Sequence, residues 1–290
     1  MSTPRDPRRE HPSTYLVQDR SSEEELTRLL IQDQMATTGM GGVLPEQPDP
    51  TVFRQVLDVG CGPGGWLREA ARTYPSMSVL AGVDISGKMV EYARTQAEAE
   101  GLGDRVTFYI MDALRIIEFP ARYFDLVNHR SAASWLRTWE WPGLLQEYRR
   151  VCRPRGVIRV TEADFTMESS SQAVNRLYSL FLQALYRAGH YFTPEGNGVI
   201  SQLADLLQRS GLQNVQTRSC RLEYRAGTAE WQGFVEDGKH LFRTVAPFLR
   251  KWTAVPDDYE SIYQQMLFEL QQPDSMGAVE VVTAWGINPK

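Results

Sequence analysis

The sequence predicts a doubly wound α/β fold on a mostly parallel, seven-stranded sheet with helical cap insertions, and three observations carry that prediction. From residue 55 onward, short β-branched runs alternate with stretches whose apolar residues recur at helical spacing. The first run, Gln55 to Val59, breaks at once into the glycine loop Gly60-Cys61-Gly62-Pro63-Gly64-Gly65 ahead of a helical stretch. After Glu162 two long helical stretches interrupt the alternation. Strands alternating with helices form right-handed βαβ units, whose helices cover both faces of a parallel sheet.

In chain order, residues 1–14 are charged and proline-interrupted and read as a disordered lead-in, with one domain over 15–290. Ser21 or Ser22 caps a helix whose first turn is acidic and whose apolar face carries Leu26, Leu29, Leu30 and Met35. Glycines and prolines make 39–50 a loop. Strands are expected at 55–59, 77–84, 105–110, 124–129 and 156–162, with covering helices between them. An amphipathic helix with its preamble occupies 164–192, a helix stopped by Gly211 follows at 199–211, and a sixth strand runs over 215–225. Residues 228–272 read as helical, and 277–287 closes the sheet. The insertions, about 164–198 and 228–272, are expected to cap the sheet, hinged at the turns near 194–198 and 273–277.

Composition narrows the function. The chain has 290 residues, 42% hydrophobic and 23% charged, enough for a sizeable core, and a net charge of −5 without a basic stripe. A nucleic-acid partner is therefore not expected, and a small ligand is. No run reaches the roughly 18 apolar residues of a membrane span, and the first residues lack the apolar core of a signal peptide, so the expectation is a cytoplasmic protein with no membrane partner. Cys61, Cys152 and Cys220, with His11, His129, His190 and His240, show no metal-ligand spacing, so no metal is expected. Nothing in the sequence speaks to oligomeric state.

The chemistry starts at the glycine loop, which lies where open α/β sheets bind ligands, at the carboxyl ends of the strands. Glycine allows positive φ and close backbone approach, and the following helix end favours a negative group. Asp58, two residues before Gly60, would repel a pyrophosphate but welcome an ammonium. Asp84 ends the second strand and is placed to accept both hydroxyls of a ribose; Asp112 ends the third and can accept from an adenine amino group. An amino-acid end, a ribose and an adenine are the parts of S-adenosylmethionine. An NAD-type oxidoreductase is the alternative, since Asp84 would serve a nicotinamide ribose equally well.

DVGCGPGG, GVDIS, MDA and FDLVNHR, in this order, resemble the successive motifs of class I S-adenosylmethionine-dependent methyltransferases over about residues 50–165. RVCRPRGVIRVTE is similar to that family's helix-turn-strand segment, with Arg155-Gly156 where a double glycine is common. The resemblance implies an antiparallel last strand, with Asp58, Gly60, Cys61, Gly62 and Gly64 at the methionine end of the donor. It also implies Asp84 at the ribose, Asp112 and Ala113 around the adenine, Ile85 and Met89 as further cofactor contacts, and S-adenosylhomocysteine as product.

Beyond the motifs, Tyr15 and Gln32 lie on the segment that in many such enzymes folds over the methionine end. Asn128, after the fourth strand, is expected to contact the donor near its sulfonium. His129 and Glu162 are the candidate bases, His129 because its ordinary pKa of about 6.5 suits proton transfer at neutral pH. Asp164 shares the strand end with Glu162. The insertions are rich in aromatics at helical spacing, from Tyr178 and Phe181 to Trp231, Phe242 and Tyr263, and such stripes are more often core than ligand cage. The function expected is methyl transfer to a small, largely apolar acceptor, an aromatic or isoprenoid metabolite, with a macromolecular acceptor as the alternative.

Overall fold

The computed structural model describes residues 15–17, 22–194 and 198–289. The predicted lead-in over 1–14 and hinge residues 195–197 lie outside the described residues. Eight strands form one sheet: β1 Gln55–Val59, β2 Val79–Asp84, β3 Val106–Ile110, β4 Phe124–Arg130, β5 Cys152–Ala163, β6 Glu168–Ser169, β7 Gln213–Arg225 and β8 Met276–Ile287. Their order is β3-β2-β1-β4-β5-β8-β6, with β7 also paired to β8. Strands β1 to β5 pair in parallel, and β8 is antiparallel to β5, β6 and β7.

The eighth strand corrects the expected count of seven. Ala163 pairs with Val281 and Glu168 with Ala278, so β6 resumes the β5 edge of β8 after an irregular stretch at 164–167, while β7 holds the other edge. The sheet is thus seven positions wide, with one position filled by two segments. The preamble expected to lead into a helix contributes that extra strand and places Phe165 in the break. Arg155 has a φ of 65°, the left-handed conformation that a second glycine would have supplied in this turn.

Helices α2 (Gly65–Thr73) and α3 (Gly87–Ala99) cover one face of the sheet, where Val56, Leu80, Phe108, Leu126 and Val157 form a core with Leu67, Val90 and Ala93. The opposite face, carrying Leu57, Val83, Val127, Ile158 and Val160, packs in a second core with α4 (Trp141–Val151) and the inserted helices. The alternation of strand side chains assigns every residue to one of these faces.

Helix α1 (Glu23–Gly39) starts at Ser22, whose hydroxyl accepts from the Glu25 N–H. Helix α5 (Gln172–Arg187) is capped by Ser171, and α6 (Leu203–Arg209) follows a short 3-10 turn. The stretch expected as one helical region over 228–272 is three helices, α7 (Ala229–Thr244), α8 (Ala246–Trp252) and α9 (Tyr259–Glu269), broken by Pro247 and Pro256. Most aromatics of the insertions pack on one another, as in the Tyr178–Phe242 edge contact at 5.1 Å and the Trp231–Phe234 stack at 5.1 Å. Their apolar cluster is continuous with the sheet core. No helix among the described residues is long and apolar enough to cross a membrane.

Candidate active site

A cavity of about 450 Å³ opens at the carboxyl ends of β1, β2 and β4 and runs under α1 toward the inserted helices. Tyr15, Gln32, Asp58, Gly60, Cys61, Gly62, Asp84, Ile85, Met89, Asp112 and Ala113 line it. Of the predicted donor contacts, Gly64 and Asn128 stand apart from the wall.

The two glycines of the loop differ in what they face. At Gly62, φ is 52° and a Cβ would meet nothing within 4 Å; at Gly64, φ is 75° and a Cβ would strike the Phe108 ring at 2.6 Å and Ala93 at 2.9 Å. Gly62 therefore keeps the loop backbone open toward the cavity, whereas Gly64 lets the start of α2 sit tightly on β3 and α3. The expectation that Gly64 shapes the methionine end is replaced by this packing role. Asp84 Oδ2 accepts from the Gly62 N–H at 2.9 Å and Oδ1 from the Ser86 N–H at 2.8 Å, which ties the end of β2 to the loop. Asp112 Oδ1 accepts from the Leu114 N–H at 3.0 Å, with Arg115 3.5 Å from its other oxygen.

Beneath the loop runs a buried polar chain. Asn128 Nδ2 donates to Asp58 Oδ1 at 2.7 Å, Arg159 Nη1 donates to Asn128 Oδ1 at 2.8 Å, and Arg159 Nε donates to Glu46 Oε1 at 2.8 Å. Asn128 reaches the cavity only through Asp58. Burial pushes the Asp58 carboxyl up to about 7, against the pull of the Asn128 hydrogen bond and the Arg159 charge, with Asp84 adding to the rise. Cys61 is also pushed well up by burial and by the two aspartates, so it stays a thiol.

Tyr15 lines the cavity, but its hydroxyl is hydrogen-bonded to Glu25, with Arg28 Nη2 at 3.4 Å. Burial and the Glu25 charge raise the phenol, which keeps its proton. Arg28 grips Glu25 through Nε at 2.9 Å and Nη2 at 2.8 Å and reaches Asp237 of α7 at 3.4 Å, joining α1 to the cap. Arg28 and Asp33 entered the prediction in no role. Both recur on the cavity-facing side of α1, with Glu25, Leu29, Gln32 and Ala36 at helical spacing. Arg130 likewise lines the wall, as do Trp135, Phe165, Phe181 and Leu241.

The expected bases are elsewhere. His129 and Glu162 are 0% and 1% exposed and are not part of the cavity wall. His129 alternates with Asn128 and Arg130 on β4, so its side chain lies on the α4 face, stacked on Trp141 at 5.4 Å. Burial holds Tyr148 well above its usual pKa, and its hydroxyl lies 2.8 Å from His129 Nδ1, while His129 Nε2 lies 2.9 Å from Glu162 Oε1. Glu162 also accepts from the N–H groups of Ala132 at 2.7 Å and Ala133 at 3.2 Å. With three donors satisfied and no route to the cavity, the pair holds the turn after β4 that presents Ser131, Ser134 and Trp135 to the wall. Asp164 is occupied within its own turn, accepting from the Thr166 N–H at 3.0 Å.

Residues 56–156 match the model of a family described as a methyltransferase domain. Over 157 residues the chain is 36% identical to aklanonic acid methyltransferase DauC of Streptomyces sp. (strain C5), covering 51% of this chain and 70% of that protein. Among solved structures, it is similar to the YcgJ protein of Bacillus subtilis (TM-score 0.51, 20% identity, 82% of this chain and 92% of that one). A phosphoethanolamine N-methyltransferase 2 of Haemonchus contortus superposes with a TM-score of 0.55 at 17% identity, over 95% of this chain and 60% of that one. The fold, the loop and these similarities define a methyltransferase of the Rossmann-like kind. The chain belongs to the class I S-adenosylmethionine-dependent methyltransferases, with S-adenosylmethionine as methyl donor.

Proposed function

We propose that this chain methylates a small, largely apolar acceptor held between the carboxyl edge of the sheet and the inserted helices. The observation that carries the reading is the continuity of one cavity, from Asp84 and Asp112 at one end to Phe165, Phe181, Leu29 and Leu241 at the other. In this reading Asp58 takes the donor ammonium, Asp84 the ribose hydroxyls, and Asp112 with Ala113 the adenine. Residues 15–290 work as one unit, with α5 and α7 to α9 as the cap. The similarity to an enzyme named for aklanonic acid supports a small organic acceptor.

Methyl transfer from a sulfonium is an in-line displacement, in which the acceptor's lone pair bonds to the methyl carbon as the carbon–sulfur bond leaves with its electrons. It needs a nucleophile at about 3–3.5 Å and a site that excludes water. The acceptor brings the nucleophilic atom, and the wall around Leu29, Phe165, Phe181 and Leu241 would hold it against the methyl group and keep water away, so that proximity and desolvation provide the rate. His129 and Glu162 act by fixing the turn at Ser131 to Trp135.

Radiolabelled donor incubated with the enzyme and either a small-metabolite fraction or cell RNA and protein tests the reading. Label in a small organic product is the expected outcome, and label confined to macromolecules would overturn it.

A further inference from the structure

One guanidinium in the cavity wall, that of Arg130, faces the place of the donor's amino-acid end and is held by an acid of α1. Asn128 and Arg130 alternate on β4 and share a face; Asn128 hydrogen-bonds Asp58, so Arg130 stands one pleat, about 6.6 Å, beyond Asp58 toward the cavity. In an α-amino acid the carboxylate and the ammonium sit on one carbon. A donor whose ammonium meets Asp58 therefore turns its carboxylate toward Arg130. Arg28 offers no equal site, because Nε and Nη2 are taken by Glu25 and it lies more than a helical turn away along α1.

Arg130 already has a partner from the chain itself. It forms an ion pair with Asp33 of α1, and its Nη1 donates to Thr37 Oγ1 at 2.9 Å. The Asp33 carboxylate also rests against Gly65, the first residue of α2, where any added side chain would run into Oδ2. It thus lies between Arg130 and the amino end of the helix that follows the glycine loop. Burial and the nearby Arg159 lower Arg130 toward about 9, still well above neutral pH, so it keeps its charge and can pair with either carboxylate.

We propose that Arg130 is the cation for the donor's carboxylate and that Asp33 is a built-in competitor for it, so that donor binding breaks the Asp33–Arg130 pair. This rests on the reading that places the donor in the cavity. Exchange of one carboxylate for another on Arg130 lowers the net affinity for donor and product alike, and it loosens α1, which roofs the acceptor end.

Calorimetry with S-adenosylhomocysteine and with 5′-methylthioadenosine, which lacks the amino-acid end, separates the possibilities. Asp33→Asn is expected to tighten S-adenosylhomocysteine by roughly threefold or more, and Arg130→Gln to weaken it about tenfold, with 5′-methylthioadenosine unchanged in both. The double variant should bind like Arg130→Gln, since the competitor has no role without its cation. Asp33→Ala, checked for an unchanged thermal midpoint, repeats the test without a hydrogen-bonding side chain.

Weaker or unchanged S-adenosylhomocysteine binding in both Asp33 variants overturns the competition. Equal losses for the two ligands in Arg130→Gln overturn the carboxylate assignment. Asp84→Ala reports on the cavity reading separately: if it weakens both ligands while the Asp33 variants change nothing, the donor site stands and only the competition falls.

Discussion

Asp58 concentrates the electrostatics of the site. Its folded carboxyl sits near 7 while an unfolded one titrates near 3.9, so the folded chain binds the extra proton between those values. The sign follows: this group's contribution to stability is fully present below about pH 4, is lost as pH rises through about 7, and is flat above. If the donor ammonium meets Asp58, as proposed, donor binding runs the other way, because the ammonium prefers the ionised carboxylate. Affinity for S-adenosylhomocysteine is expected to rise as the pH passes through about 7 and then to level off. Asp58→Asn should flatten the acidic limb in a calorimetric pH series; a limb that persists in the variant would assign it to another group. If Asp84 accepts from two ribose hydroxyls, as proposed, Asp84→Ala should weaken binding more than about tenfold, each bond to a charged acceptor being worth ~1.5–3 kcal/mol. The acids were legible in the sequence because each closes a strand before a loop. Their supports were not: Arg159 and Glu46 are 113 positions apart, and only the register of β4 on β5 brings Arg159 beside Asn128.

At the scale of elements, parity along a strand separates wall from support. Asp58 and Asp84, and likewise Asn128 and Arg130, fall on the face of α2 and α3, and His129 falls on the other with Val127. Proximity in sequence to the mouth of the sheet put His129 and Glu162 among the bases, and the two-residue period of the strand was the signal that would have excluded them. Glu162→Gln tests this. A neutral amide has one acceptor oxygen where three donors converge, so the variant should lose about 1–3 kcal/mol of stability while keeping the shape of the pH–rate profile. A collapse of kcat at unchanged thermal midpoint would restore Glu162 as a base. The glycine loop divides in the same way. Gly62→Val should abolish donor binding by filling open cavity, with the strain of a β-branched residue at a φ of 52° but no clash, whereas Gly64→Val should unfold the protein by adding a side chain driven into Phe108. Circular dichroism paired with calorimetry distinguishes the two. The pattern of glycines alone could not, since both need positive φ.

For the whole molecule, the question is what the insertions do with their aromatics. Composition placed them on helices, and spacing predicted core over cage; most are core, and Phe181 is one of the few that also reach the wall. Phe165 reaches it from outside any helix, from the break between β5 and β6 that the expected helical preamble concealed. It packs edge-on against Phe181 at 5.3 Å and parallel to Tyr191 at 6.3 Å, so the sheet edge and the cap meet at this ring. Because Phe165 is only partly buried and lines the cavity beside Phe181, its truncation removes wall rather than core. Phe165→Ala is therefore expected to raise the acceptor KM by roughly 10- to 200-fold, the range for lost apolar contacts in a pocket, while the Kd for S-adenosylhomocysteine changes less than about twofold. Steady-state kinetics with the acceptor identified by labelling, alongside donor calorimetry, checks both halves. A variant that loses donor affinity and leaves the acceptor KM unchanged would move the acceptor away from the cap and toward the outer mouth beside Ile85 and Leu114.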